Sequence, residues 1–374
     1  MTAKANALRA QGVDIVSFAA GEPDFNTPEP ICRAAIEAIE EGFTKYTPSA
    51  GIPALRSAIA QKLERENGVR SSPDQVVVSC GAKHSVYNSM QVLLDPGDEV
   101  ILIAPYWMTY AEQVRLAGGI PVVVHTEAEH GFQPAYERIR EAITDKTKAI
   151  ILNSPSNPTG AVWPRQTIKE IAALAIRHGF WVVADEIYEK LVYGSEHVSI
   201  ASLGMEIAER TITINGCSKT FAMTGWRIGY ASAPLPVAKA MSNFQDQVTS
   251  NPTSFAQKGA LAAFTLGDEA IEKMRNEFEI RRDLIVQSLS QIPGVTLALP
   301  RGAFYVLPSF KTYVGGRFRT DTELAEYLLE EAHVATVPGS PFEAPGHLRL
   351  TYATSREDIE RGVSRIAEAL ARIA

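Results

Sequence analysis

An α/β fold built on a mainly parallel sheet is what this 374-residue chain predicts, on two features of its sequence. Short β-branched runs alternate with helix-periodic stretches from about residue 75 to residue 232, as repeated strand–helix units require. Several of those runs, Trp181-Val182-Val183-Ala184 among them, are apolar at every position, which suits strands covered on both faces.

In order, the strands are expected at Gln75–Cys80, Glu99–Ile103, Pro121–His125, Ala149–Asn153, Trp181–Asp185, Thr211–Asn215 and Ile228–Ser232. Between them the periodicity predicts helices over Ser85–Leu94, Thr109–Ala117, Pro134–Ala142 and Arg165–His178. A long helical stretch over Thr253–Leu289 is interrupted at Gly267-Asp268. From about Ile292 the pattern changes to short strands, a helix near Thr322–Ala332 and a last one over Arg356–Ile373. Residues 36–280 are therefore expected to form a large domain with a seven-stranded sheet. Residues 1–35 and 281–374 would form a smaller, discontinuous α+β domain.

Composition narrows the function classes. Apolar residues make up 45% and charged residues 21%, the balance of a soluble globular protein. The net charge of -7, spread without long runs, argues against a nucleic-acid or anionic-membrane surface. Cys32, Cys80 and Cys217 lack metal-ligand spacing and read as reduced thiols. No stretch approaches the roughly 20 apolar residues of a membrane span, and no apolar signal core opens the chain, so a cytoplasmic protein is expected. His84, His125 and His178 stand apart, and no metal site is expected.

Open α/β sheets bind ligands beyond the carboxyl ends of their strands, and the unusual residues of this chain fall there. Gly81-Ala82-Lys83 follows one strand and Tyr106-Trp107 the next. Asn153 to Gly160 ends the fourth, Asp185 to Tyr188 the fifth, and Ser218-Lys219 the sixth. The first of these opens a helix, where free N–H groups and the helix dipole suit a phosphate.

The motifs AAGEPDFNTP, KYTPSAGIPALR, NPTG, ADEIYEKLVY, SKTFAMTGWRIGY and RLTYATS run over essentially the whole length. Together they resemble the fold-type I, class I aminotransferases that use pyridoxal 5′-phosphate, and among these the bacterial aspartate and prephenate enzymes. Such chains usually begin further upstream, which raises the expectation of a truncated N-terminus.

The resemblance implies a role for each motif residue. Lys219 would be the Schiff-base lysine and proton shuttle, its pKa lowered by a desolvated cationic pocket. Asp185 would hold the cofactor's ring nitrogen protonated. Tyr188 and Asn157 would donate to the ring's phenolate oxygen, and Trp107 would stack on the ring. Gly81, Ala82, Lys83, Ser218 and Arg227 would hold the phosphate, joined by Tyr46 from the neighbouring subunit of a homodimer. Arg349 would grip the substrate α-carboxylate, with the Gly21 backbone closing over it. Taken singly, each residue has a plainer reading. Lys219 could be a solvated lysine, Asp185 a helix cap, Tyr188 and Trp107 core packing, Asn157, Gly21 and Gly81 turn residues. Arg227 and Arg349 could be surface ion-pair or strand arginines, and Tyr46 interface packing.

The implied reaction is ping-pong transamination of amino acids with 2-oxo acids, from aspartate to 2-oxoglutarate. The best-known aspartate aminotransferases hold the distal carboxylate with a partner-subunit arginine just before a Ser-Asn-Pro segment. Asp246 stands there in this chain, and an acid cannot hold a dicarboxylate; the subgroup it resembles uses a phosphate-loop lysine instead, and the resemblance gives that role to Lys83. Its flexible point charge discriminates less than an arginine fork and leaves room for prephenate. An aromatic or broad-specificity transaminase, a C–S lyase and a cofactor-sensing regulator remain alternatives. The last lacks a preceding DNA-binding segment.

Overall fold

A computed structural model of the chain describes residues 2–373. Its largest sheet has seven strands, β1 (Val76–Ser79), β2 (Glu99–Ala104), β3 (Ile120–His125), β4 (Thr147–Asn153), β5 (Trp181–Asp185), β6 (Thr211–Gly216) and β7 (Gly229–Ser232). They lie in the spatial order β1-β7-β6-β5-β4-β2-β3. Strands β3, β2, β4, β5 and β6 are mutually parallel, whereas β7 runs antiparallel to both β1 and β6.

The central strands are buried on both faces because helices cover each side. One apolar cluster joins Ile150, Leu152, Val182 and Ala184 to the helix Arg165–His178. Another joins Ile151, Val183, Ile212 and Ile214 to the helix Ala82–Leu93. Alternate residues of one strand thus reach opposite clusters, which is why the runs are apolar throughout.

The helical stretch after the sheet breaks as its glycine predicts, into Ser254–Ala263 and Glu269–Ser290. The C-terminal part forms a small antiparallel sheet of Val337–Pro338, Leu348–Thr351 and Tyr305–Val306. Val16–Ser17 pairs in parallel with Val334–Ala335, and Phe18 packs in the same cluster as Leu350 and Ile359. The N-terminal segment is therefore tied to the C-terminal part. The helix Glu29–Glu40, by contrast, packs on Ser254–Ala263 through Ile31. We propose a division of the chain before that helix, at the loop preceding Pro28, rather than within it at residue 35. No helix among the described residues is long and apolar enough to cross a membrane.

Candidate active site

The carboxyl ends of the parallel strands open into a cavity of about 420 Å³ at the junction with the C-terminal part. Gly21, Ala82, Lys83, Trp107, Asn157, Asp185, Tyr188, Ser218, Lys219, Arg227 and Arg349 all border it. Gly81 sits just behind its wall. Tyr46 does not reach it; its side chain is 90% exposed, beside Asn251 and Phe255 at another surface.

Lys219 follows β6 and is half-buried, donating from Nζ to the Gly21 carbonyl at 2.5 Å. Burial lowers its amine to about 8; Arg227 and Arg349 push the same way, while Glu22 and Asp185 oppose them. A substantial fraction of the amine is therefore neutral near physiological pH, as a nucleophile or base requires.

Asp185 ends β5 and is 3% exposed. Its carboxylate accepts from the Tyr110 hydroxyl at 2.7 Å and from the Ile187 N–H at 3.3 Å, both neutral donors. Burial pushes the carboxyl up to about 6, against the pull of those hydrogen bonds. Tyr188, one turn on, shares a 3.0 Å hydrogen bond between hydroxyls with Tyr305, and burial holds its phenol far from ionisation. Asn157 is fixed from behind: its N–H donates to Asn153 Oδ1 at 2.9 Å, and Asn153 Nδ2 donates to the Asp185 carbonyl at 2.9 Å. Trp107 meets Tyr110 edge-on, and the Lys83 ammonium lies 4.7 Å from the Trp107 ring centre. Burial, followed by Arg227, lowers the Lys83 pKa.

Two arginines flank this group. Arg227 adopts a left-handed backbone, φ +58°, and its guanidinium donates to the carbonyls of Thr224 at 2.8 Å and Cys80 at 3.2 Å. It lies so close to Gly81, φ +91°, that a Cβ there would sit 2.2 Å from Nη2. Only glycine suits both the conformation and the contact. Arg349, 7% exposed, donates to Asn157 Oδ1 and to the Ala19 carbonyl, each at 3.0 Å, while its Nε is buried without a partner. Its guanidinium stands 4.6 Å from the Tyr305 ring centre. Among the described residues neither arginine pairs with a carboxylate.

Tyr110 and Tyr305 were not singled out in the sequence. Tyr110 follows Trp107 by three residues, and that proximity was the available signal. Tyr305 comes from the far C-terminal sheet and carried none. Asp246, expected where an arginine would otherwise stand, hydrogen-bonds Ser49.

Comparison with known proteins agrees with this geometry. The family model described as aminotransferase class I and II matches residues 13–366. A probable aspartate/prephenate aminotransferase of Aquifex aeolicus is 50% identical, the match covering 100% of this chain and 95% of the relative. An aspartate aminotransferase of Geobacillus stearothermophilus is also 50% identical, over 98% of this chain and 94% of its own. The solved structure of the Thermus thermophilus aspartate aminotransferase with maleate superposes with a TM-score of 0.94 at 48% identity, covering 98% of this chain and 95% of that one. A lysine, a buried carboxylate and two unpaired arginines converge at the strand ends of a chain that matches these proteins from end to end, and it belongs to the class I and II aminotransferases.

Proposed function

We propose that this chain moves an amino group from aspartate to 2-oxoglutarate, giving oxaloacetate and glutamate, with pyridoxal 5′-phosphate as cofactor and prephenate as a further acceptor. One observation carries the reading. Three charged groups of the cavity, Asp185, Arg227 and Arg349, have no oppositely charged hydrogen-bond partner among the described residues. Asp185 and Arg349 are buried, and buried charges left this way suit a ligand that supplies the missing partners; Arg227 is exposed but is held in place by two backbone carbonyls. A pyridinium nitrogen suits Asp185, a phosphate suits Arg227 and a substrate carboxylate suits Arg349.

The cofactor's fit also rests on Gly81. A side chain there would fill the cradle between the helix start at Ala82 and Arg227, where a phosphate gains both N–H donors and a guanidinium. Ser218 adds a hydroxyl. When bound, pyridoxal phosphate supplies the electron sink that makes an amino acid's Cα–H acidic.

The chain's own residues do the rest. Arg349 orients the amino acid by its α-carboxylate, held rigid by Asn157 and Ala19. Lys219 Nζ, neutral in part because of burial, would take the Cα proton and hand it to the cofactor's carbon; in the reverse half-reaction it would carry a proton from that carbon back to the carbon that becomes Cα of the product amino acid. Asp185, desolvated and anionic against a cationic ring nitrogen, keeps that nitrogen protonated. Tyr188 and Asn157 offer donors to the ring's oxygen, and Trp107 offers it a flat face.

Lys83 is the residue we assign to the distal carboxylate. The maleate in the Thermus relative's structure is a dicarboxylate, and the names of the relatives include both aspartate and prephenate. In a homodimer Tyr46, exposed here, would reach the neighbour's phosphate. A cytoplasmic location is part of the same proposal.

The test is a donor screen with 2-oxoglutarate, repeated on Lys83→Ala. A selective rise in KM for aspartate and glutamate, with alanine or phenylalanine little changed, supports the assignment. Equal losses for all donors with weaker cofactor binding would reduce Lys83 to a phosphate contact. Release of pyruvate or ammonia without a second oxo acid would make the enzyme a lyase instead.

A further inference from the structure

The turn that supplies Asp185 and Tyr188 has a second face. Those two side chains border the cavity, whereas Glu186 and Glu189 are buried away from it, 3% and 7% exposed. Glu189 pairs with Lys62 of the helix Pro53–Asn67 and accepts from Asn67 Nδ2 at 2.5 Å; Lys62 also donates to Asn67 Oδ1 at 2.7 Å. Glu186 Oε2 lies 3.2 Å from Nε2 of His197, whose side chain is 10% exposed. One ligand-type atom from each of Glu186, Glu189 and His197 falls within 4.8 Å of the others. Nothing in the reaction described above uses these groups.

Buried charges persist only when compensated. Glu186 and Glu189 bring two negative charges and Lys62 one positive, so the cluster is neutral when His197 is protonated. Burial disfavours that proton, but Glu186 and then Glu189 outweigh burial and Lys62, and the imidazole is held above its ordinary value. At the edge of the cluster Glu66, 3.9 Å from Lys62, is itself neutralised by Lys190 at 2.8 Å and Arg65 at 2.5 Å.

Backbone hydrogen bonds also tie the turn to itself and to β6. The Glu186 N–H donates to Ile214 of β6 at 2.8 Å, and the Glu189 N–H donates back to the Glu186 carbonyl at 2.9 Å. Shifting either glutamate therefore shifts Asp185 and Tyr188.

We propose that His197 and Lys62 are positioning residues that clamp this turn from behind through Glu186 and Glu189, holding Asp185 and Tyr188 in register for the cofactor ring. The proposal rests on the reading that Asp185 and Tyr188 hold that ring. Loss of the charge at His197 leaves Glu186 uncompensated beside Asp185. A cavity of about 570 Å³, bordered by Lys62 and Glu189, lies on this side and gives the turn room to relax. The sign follows from the raised imidazole: the clamp is whole at low pH and is lost as pH rises through the folded-state value.

The experiment follows cofactor loss from the holoenzyme by absorbance, across pH, in wild type, His197→Gln, Glu186→Gln and the double variant. His197→Gln should lose cofactor about fivefold faster or more, a coupling usual for one buried network. The double variant, neutral on both sides, should recover most of the retention, which a packing role would not produce. Wild-type loss should accelerate with pH in a step that His197→Gln lacks. Should His197→Gln fail to fold, Lys62→Gln with Glu189→Gln forms the same cycle from the other end. Wild-type retention in His197→Gln, or a double variant as poor as the singles combined, overturns the clamp. Asp185→Asn is the control: if it leaves the cofactor's absorption unchanged, the underlying reading of Asp185 has failed rather than the clamp.

Discussion

At the scale of single residues, the site stores unfavourable electrostatics that its ligands relieve. Asp185 has its carboxyl raised from 3.8 to about 6 by burial. A carboxyl raised on folding favours the folded state when protonated, and that advantage is lost as pH rises from about 4 to about 6. At about 1.4 kcal/mol per unit, the ionised group costs the ligand-free protein on the order of 2–3 kcal/mol at neutral pH. Asp185→Asn should therefore raise the melting temperature of the ligand-free protein by a few degrees at pH 7, with the gain gone near pH 4. It should also lower kcat by orders of magnitude while still binding cofactor. Calorimetry at the two pH values and steady-state kinetics check both halves; unchanged stability with normal turnover would make Asp185 a mere helix cap. Much of this was legible, because Lys219, Asp185, Asn157 and Arg227 each sit within a motif at a strand end. Tyr110 and Tyr305 were not. Each matters through one hydroxyl aimed at a residue distant in sequence, 75 positions away for Tyr110 and 117 for Tyr305, and nothing local marks it.

At the scale of elements, the phosphate cradle depends on how the helix after β1 begins. Apolar periodicity placed its start at Ser85, whereas the strand-end motif placed it at Gly81-Ala82-Lys83; it begins at Ala82, with Gly81 as its cap at φ +91°. The first turn carries Lys83 and His84 rather than apolar residues, so the hydrophobic pattern could not reveal it. Gly81 follows β1 closely, and Ala82, the first residue of the helix, borders the cavity. Gly81→Ala should leave the fold intact but force Arg227 aside, since the new Cβ would overlap its guanidinium. Weaker cofactor retention with an unchanged circular-dichroism spectrum is the expected outcome; wild-type retention would remove Gly81 and Arg227 from the phosphate site. The sheet itself was far easier to read. Most of its strands are β-branched runs ended by polar, glycine or proline residues, with Gly229–Ser232 the exception, and the doubly covered central strands leave no ambiguity of face.

At the scale of the whole molecule, the site exists because distant parts of the chain converge on one edge of the sheet. Gly21 arrives from the N-terminal segment, Lys219 from β6, and Arg349 from the C-terminal sheet, and the Lys219 ammonium is hydrogen-bonded to the Gly21 carbonyl. Sequence periodicity cannot convey such convergence. The family motifs conveyed it, because the resemblance assigns their residues to one site. Tyr46 marks the edge of what a single chain displays, since its proposed role needs a second subunit. The proposed reaction turns on one amine, that of Lys219. Reduction of the holoenzyme with borohydride, followed by peptide mapping, tests it directly. The pyridoxyl group should be found on the peptide containing Ser218-Lys219, and Lys219→Ala should abolish both labelling and transamination. A label on another lysine, or turnover surviving in Lys219→Ala, would contradict it.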